Sequence, residues 1–367
     1  MEASSHVGRR LAELVAFDTR NPGGNERALA EKLASELTQL GATTVEVFAS
    51  GDHHSTFACF GSTPPKLILN AHIDTVPTNA GYSSDPFVLV QRASRLHGLG
   101  SADTKGAIAA ILQALAQHKA AGRTPTGLAV LFSGDEELGG ACIRQFLASE
   151  RCRGLVGARA IVCEPTGCRV GTRHRGVYAA RISANSPGGH SSLADSIPNP
   201  VAVLARVAVA LDELGSRHRE LGPPGLRGLC MNVAALEGGL AFNIIPARAT
   251  LTFSIRPAPG VDQAQVLAQA ETAVRLAAVP LATEWEAIAL NPAFETRDAK
   301  VFVDLLGQPA QAPIDLPFGT EAGQFVERGI DAVVFGPGHI EQAHKADEYV
   351  ELDELDQAVR VFAQVIA

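Results

Sequence analysis

The segment KLILNA, residues 66–71, is a short apolar run of the length that a buried strand needs, and LAVLFS, residues 128–133, is a second such run. Between them, residues 105–119 have the apolar spacing of a helix. A strand, a helix and a strand in this order predict parallel strands joined by a helical crossover. We therefore expect an α/β fold with a mostly parallel sheet flanked by helices.

Similar patterns extend on both sides of this unit. Further helices are predicted at residues 7–15, 28–40, 136–149 and 353–366, and further strands at 158–163 and 332–335. A chain of 367 residues also exceeds the roughly 100–200 residues typical of one domain, so we expect two domains.

The middle of the chain has a different pattern. The expected order is a strand at 177–184, a helix at 200–214, strands at 231–236 and 249–256, a helix at 261–278 and a strand at 282–288. This β-α-β-β-α-β order is the ferredoxin-like unit. We therefore predict an α+β domain, residues 175–282, inserted into a catalytic domain formed by residues 1–174 and 283–367.

Composition excludes several classes of function. The formal charge of −8 provides no basic surface for nucleic acid. The N-terminal residues lack the apolar core of a signal peptide, and no run reaches the roughly 18 apolar residues that a membrane span needs. The six cysteines form no CxxC pair and are interpreted as buried or idle thiols. These features predict a cytoplasmic protein without nucleic-acid or membrane partners.

Polar residues follow the predicted strands, at the edge where open parallel sheets bind their ligands. His72 and Asp74 follow residues 66–71, the acids Asp135–Glu137 follow residues 128–133, and Glu164 ends the strand at 158–163. Histidine and carboxylate together are ligands suited to zinc or a similar divalent ion. Three adjacent acids could also form a solvated turn at a helix start, but a cation explains them better.

Asp103 and His344 are ambiguous when each is considered alone. Asp103 precedes the predicted helix at 105–119 and could be its N-cap, while His344 lies in a loop after the last inner strand and could be incidental. Together with the residues at the strand ends, they supply one carboxylate more than a single tetrahedral site requires. This excess suggests two metals bridged by an aspartate.

The chain resembles the dinuclear-zinc deacylase and carboxypeptidase family over essentially its whole length. The motifs that carry the resemblance occur in the family's order and approximate spacing: His72–Asp74, Gly98–Gly106, Asp135–Glu137, Glu164–Thr166 and Gly189–Ser191. Residues 336–349, GPGHIEQAHKADEY, and residues 17–22, FDTRNP, are especially similar to the acetylornithine and N-acetylcitrulline deacetylases of that family.

This resemblance implies a ligand set for two Zn²⁺, with Co²⁺ as the alternative metal. Asp103 would bridge both ions. His72 and Glu164 would complete one site, and Glu137 and His344 would complete the other.

The resemblance also implies roles for residues beside the ligands. Glu136 would be the general base, which agrees with the need for one carboxylate that is not a ligand. Asp74 would orient His72 as its outer partner. The peptide after the bridging aspartate is typically cis in the family, so we expect a cis Asp103–Thr104 bond.

In relatives, the inserted domain both forms a homodimer and covers the active site. His190 would then reach the partner subunit's site and donate a hydrogen bond to the oxyanion of the tetrahedral intermediate. The alternative for His190 is an ordinary loop histidine beside Gly189.

A second group of residues would contact the substrate. Arg256 offers a fork that matches an α-carboxylate, with a surface salt bridge as the alternative. Asn243, Gly319 and Thr320 occupy positions that resemble the family's substrate cradle. Arg175, at the predicted domain junction, is either a hinge residue or an anion contact.

The resemblance favours hydrolysis of an N-α-acetyl amino acid, with N-acetyl-L-ornithine in arginine biosynthesis as the first choice. Glu321 and Asp315 are expected to supply negative charge for a cationic side chain. The alternatives within the family are an N-acetylcitrulline deacetylase, a succinyl-diaminopimelate desuccinylase and a dipeptidase. From another class, a catalytically silent relative that binds metal or ligand would have lost Glu136 or a metal ligand, and the sequence retains them.

Overall fold

The computed structural model describes residues 5–308 and 310–367. Its helices are α1 (His6–Val15), α2 (Glu26–Gln39), α3 (Lys105–Ala120), α4 (Ala141–Ala148), α5 (Glu150–Arg153), α6 (Pro200–Arg217), α7 (Gln263–Ala277), α8 (Ala299–Leu305), α9 (Ala322–Glu327) and α10 (Leu352–Val365). Its strands are β1 (Thr44–Ser50), β2 (His53–Phe60), β3 (Leu67–His72), β4 (Val90–Arg92), β5 (Arg95–His97), β6 (Leu128–Ser133), β7 (Arg159–Val162), β8 (Gly171–His174), β9 (Val177–Asn185), β10 (Gly189–His190), β11 (Asn232–Gly238), β12 (Ile244–Ile245), β13 (Arg248–Ile255), β14 (Thr283–Asn291), β15 (Phe294–Glu295), β16 (Ile314–Leu316), β17 (Asp331–Val334) and β18 (Tyr349–Glu351).

The chain divides into two compact units. Within the described residues, the first comprises 5–172, 296–316 without 309, and 320–367, and the second comprises 173–295 and 317–319. The predicted end of the insertion at residue 282 is too early. The strand β14, Thr283–Asn291, pairs along its length with β9, so the second unit includes this strand.

The first unit contains most of the central sheet, in which β1-β2-β6-β3-β7-β17 are consecutive neighbours. β3 is parallel to β6 and β7, and β7 is parallel to β17, which confirms the mostly parallel sheet. Every residue of β3 and β6 is buried, as expected for strands covered on both faces. The hairpin β1–β2 adds an antiparallel edge that the apolar runs did not predict.

Helix α3 makes the crossover between β3 and β6 and packs against α1 and α10. It is buried around most of its circumference, because small side chains let its neighbours approach closely. The alanines that do this are Ala107, Ala109, Ala110 and Ala114. The core around it is continuous with apolar residues of both neighbouring helices.

The second unit has the predicted β-α-β-β-α-β order, formed by β9, α6, β11, β13, α7 and β14. Its antiparallel sheet has the strand order β11-β13-β9-β14. Apolar residues of α6 and α7 share one core with the alternating inward residues of β9 and β13. This separate core explains why the unit is compact by itself.

The predicted helix at 136–149 begins late, at Ala141. Asp135 and Gly140 both have left-handed backbone conformations, with φ of 64° and 66°. Such residues interrupt an α-helix, so Glu136 and Glu137 lie in a turn. Among residues 5–308 and 310–367, no helix is long and apolar enough to cross a membrane.

Candidate active site

The candidate site lies at the carboxyl ends of neighbouring parallel strands in the first unit. His72 is the last residue of β3, Glu136 and Glu137 follow the end of β6, and Glu164 follows β7 by two residues. In an open parallel sheet these ends form the ligand crevice. The strand order therefore brings together side chains that are distant in the sequence.

Asp103 lies between the two histidines predicted to bind metal. Its Oδ1 is 2.9 Å from Nε2 of His72, and its Oδ2 is 3.3 Å from Nε2 of His344. The Asp103–Thr104 peptide is cis, as expected. Asp103 is not the N-cap of α3, because the cap position is Thr104 and Asp103 directs its carboxylate to the histidines. This two-sided arrangement is the one a bridging carboxylate needs.

The remaining candidate ligands surround this carboxylate. Oε1 of Glu137 is 2.9 Å from Nε2 of His344, and Oε2 of Glu164 is 3.9 Å from Nε2 of His72. Ligand atoms of His72, Asp103 and Glu137 all lie within 4.8 Å of one another. Imidazole and carboxylate atoms at this spacing fit a divalent cation such as zinc.

The electrostatics of the cluster also favour a cation. Burial raises the pKa values of Glu136 and Glu164 well above their ordinary value. Hydrogen bonds to Asp103 and Glu137 raise the pKa of His344 to about 10. Burial disfavours the ionised form of these carboxylates, so a bound cation would stabilise that form.

Asp74 holds the turn that carries Glu136 and Glu137. Its Oδ1 accepts from the Glu136 amide at 3.1 Å, and its Oδ2 accepts from the Glu137 amide at 3.1 Å and from Nδ2 of Asn21 at 2.8 Å. Nδ1 of His72 lies 3.0 Å from the main-chain oxygen of Asp74 and 3.5 Å from its Oδ1. The side chain therefore positions the acidic turn, and His72 is oriented chiefly by the carbonyl.

Glu321 is a further acid beside the cluster of candidate metal ligands, and it is buried. Its Oε2 accepts from Oγ of Ser133 at 2.6 Å and from Nδ2 of Asn70 at 2.8 Å. Burial raises its pKa to about 7. The expectation that Glu321 offers charge to a cationic substrate is therefore wrong, because its side chain is enclosed and bonded to Ser133, the last residue of β6, and to Asn70 within β3.

In the second unit, His190 is exposed, and its ring is held by Ser192. The Ser192 amide donates to Nδ1 of His190 at 3.2 Å, and Oγ of Ser192 is 2.9 Å from the same nitrogen. A neutral imidazole that accepts at Nδ1 carries its proton at Nε2. The ring thus has a donor available, as an oxyanion contact needs. Asn243 is adjacent, because its carbonyl accepts from the Ser191 amide at 3.0 Å.

The two arginines of the second unit have different surroundings. Arg256 is exposed. The guanidinium of Arg175 donates to the main-chain oxygens of Gly228 at 2.6 Å, Arg227 at 2.6 Å and Arg256 at 3.2 Å. These three carbonyls occupy the guanidinium nitrogens that an anion would use, which favours the hinge interpretation of Arg175 over an anion contact.

The last two cradle residues have local structural roles. Oγ1 of Thr320, which is fully buried, accepts from the Ala322 amide at 3.1 Å at the start of α9. Gly319 lies where a side chain would meet Nδ2 of Asn291, 3.3 Å from the position of an added Cβ. An added side chain would therefore require the Asn291 amide to shift by a few tenths of an ångström.

The family follows from comparison with known sequences. The sequence profile of Peptidase family M20/M25/M40 matches residues 68–367, which include every candidate metal ligand. The chain belongs to this family. The predicted class of enzyme, an amidohydrolase, is thereby confirmed.

Individual M20 relatives are similar along nearly the whole chain. The N-acetyl-L-citrulline deacetylase of Xanthomonas campestris pv. campestris is 35% identical, covering 97% of this chain and 96% of its own. The acetylornithine deacetylase of Myxococcus xanthus is 33% identical, covering 84% and 81%. An M20 family metallo-carboxypeptidase from Sulfolobus solfataricus has the same fold, with a TM-score of 0.81 at 18% identity over 99% of this chain and 98% of its own.

Proposed function

We propose that this M20 enzyme removes the acetyl group from the α-nitrogen of an amino acid, using two divalent cations, with zinc as the expected metal. The observation that carries the proposal is the position of Asp103, whose two carboxylate oxygens face His72 and His344. His72 and Glu164 would hold one ion with Asp103, and Glu137 and His344 the other.

When bound, the cations would polarise the amide carbonyl and lower the pKa of water. The chain supplies the proton transfers. The carboxylate of Glu136 takes a proton from the attacking water and passes it to the leaving amine. The amides of Glu136 and Glu137 both donate to the Asp74 carboxylate. These bonds fix the position of the base Glu136 relative to the adjacent candidate ligand Glu137.

The second unit would complete the site in a homodimer. In this proposal, Nε2–H of His190 donates to the oxyanion in the partner's site, and Asn243 lies beside it. Arg256, exposed and carrying a planar fork, would bind the substrate's α-carboxylate. Gly319 and Thr320 remain candidates for the cradle through their main chain.

The names of the relatives support acetylated substrates, and N-acetyl-L-ornithine remains the substrate expected from the sequence. One observation favours N-acetyl-L-citrulline as a second candidate. Glu321, one of the two acids expected to attract a cationic side chain, is enclosed and bonded to Ser133 and Asn70. A neutral ureido end does not need such a charge.

A substrate panel with metal analysis tests the proposal. Purified protein would be assayed for divalent ions and for amine release from N-acetylornithine, N-acetylcitrulline, N-succinyl-diaminopimelate and simple dipeptides. We expect two ions per chain and a kcat/KM for one of the acetylated substrates at least tenfold above the rest, about 1.4 kcal/mol. A tenfold preference for the succinylated substrate or a dipeptide would overturn the substrate class. Full activity without metal would overturn the metal assignment.

A further inference from the structure

Glu348 is a buried carboxylate bonded to the loop that carries Asp103. Its side chain is enclosed, with the residue only 2% exposed. Its Oε1 accepts from the amides of Ala102 at 2.9 Å and Asp103 at 3.1 Å, and its Oε2 accepts from the amide of Gly100 at 3.0 Å. A buried charge is stable only when it is bonded in this way. One carboxylate thus satisfies three main-chain donors within four residues.

The same residue also connects two segments that bear candidate ligands. Glu348 follows His344 by four positions, and its main-chain oxygen accepts from the Gly98 amide at 3.0 Å. Side chain and main chain together bind the segment of His344 to the loop of Asp103. Burial raises the pKa of Glu348 to about 7, and the three amide donors and the nearby buried Lys105 oppose this rise.

We propose that Glu348 is a positioning residue for the metal centre. By fixing the main chain up to the Asp103 amide, it directs the Asp103 carboxylate towards both His72 and His344. This inference rests on the proposed metal-dependent function. Residues that orient ligands from outside commonly change metal affinity by roughly 10–100-fold when replaced.

The isosteric variant E348Q removes one of the two hydrogen-bond-accepting oxygens that the proposal requires. A carboxylate can accept all three amide hydrogens, whereas a glutamine has one accepting oxygen and an NH₂ group that is itself a donor. At least one main-chain N–H would then face another donor. The loop would shift, and the direction of the Asp103 carboxylate would shift with it.

Glu354 offers a matched control in the same part of the chain. Its Oε2 accepts from the Gly338 amide at 2.8 Å, and its Oε1 is 2.7 Å from Nε2 of His339. It therefore holds main chain near the candidate site, and none of its hydrogen bonds within the described residues goes to the Asp103 loop. A general effect of losing a structural carboxylate would be common to E348Q and E354Q.

The test measures metal binding directly. Metal-free native protein, E348Q and E354Q would be titrated with Zn²⁺ against a competing chelator and with Co²⁺ followed by visible absorption. We expect E348Q to lose roughly 10–100-fold in affinity and to change the Co²⁺ spectrum, with E354Q like the native protein. E348D, which keeps the charge with a shorter reach, should recover part of the affinity.

Native affinity and spectrum in E348Q, or equal losses in E348Q and E354Q, would overturn the inference. If E348Q does not fold, E348D is compared with E354D, and equal affinities in that pair would overturn it too. Native protein that binds no divalent ion would instead overturn the proposed function, and the inference with it.

Discussion

The amide nitrogen of Glu136 lies 3.1 Å from Oδ1 of Asp74. The next amide, that of Glu137, lies 3.1 Å from the other oxygen of the same carboxylate. Asp74 is fully buried, so these bonds are shielded from water and from competing ions. The proposed base and an adjacent proposed ligand therefore share one support, and a change at Asp74 should affect both.

We expect Asp74→Asn to weaken both catalysis and metal binding, because the new NH₂ group must face a main-chain or Asn21 donor. The predicted loss of metal affinity is roughly 10–100-fold. Chelator competition and kcat, measured on folded protein, would check it. Asp135→Asn is the control. Among the described bonds, Oδ2 of Asp135 accepts only from the Ala141 amide, so the Asp135→Asn variant should retain its metal. Equal metal affinity in the native protein and Asp74→Asn would contradict the prediction.

Glu136→Gln and Glu137→Gln should differ although the residues are adjacent. Removing the proton acceptor at Glu136 should reduce kcat by about 10²–10⁴-fold and leave two ions bound. Removing a carboxylate ligand at Glu137 should reduce the metal content. Elemental analysis and steady-state kinetics separate these effects, and equal metal loss in the two variants would show that the roles are misassigned.

Mixed dimers would test whether His190 serves the partner subunit. Homodimers of the Glu136→Gln subunit and of the His190→Ala subunit should each be impaired. Their heterodimer should regain one working site, because the intact base and the intact histidine then meet across the interface. Tagged heterodimers, isolated and assayed for amine release, provide the measurement. No recovery in verified heterodimers, or full activity as a monomer, would contradict the dimer proposal.

Arg256→Lys and Arg175→Lys should separate substrate binding from structure. Lysine at position 256 keeps the charge but cannot form the paired hydrogen bonds of a guanidinium, and losing a bond of about 1.5–3 kcal/mol should lower kcat/KM roughly 10–100-fold without changing thermal stability. Arg175→Lys should instead lower stability, because lysine cannot reproduce the bonds to three carbonyls. Thermal unfolding and kinetics of both variants would check this, and the reverse pattern would assign the anion contact to Arg175.

The candidate metal ligands that follow strands could be placed from the sequence, because parallel strands bring their carboxyl ends to one edge of the sheet. His72 and Glu164 follow short apolar runs whose length suits a buried strand. For the same reason, the β-α-β-β-α-β order of the insertion was predictable from alternating and helical patterns. Its end was misplaced at residue 282 although the strand predicted at 282–288 is part of that order, because the pairing of β14 with β9 continues to Asn291 and keeps the whole strand in the second unit.

The residues that sequence analysis missed act over long separations. Asn70 and Glu321 are 251 positions apart, and Gly100 and Glu348 are 248 apart, so no local pattern indicates either pair. Glu321 was given the wrong role because its burial depends on this tertiary contact. The late start of α4 had a visible signal in Gly139–Gly140, which weakens a helix at that point.

The burial of α3 matters for anyone who infers function from tolerated substitutions. In a saturation mutagenesis screen scored by growth, the alanines of this helix would be as intolerant as the candidate ligands, because any larger side chain must displace the core. Repeating the screen with excess divalent metal in the medium would separate the two groups. Variants with a weakened metal ligand should regain growth, because excess metal restores binding by mass action. Variants with an overpacked α3 should fail to grow at every metal concentration.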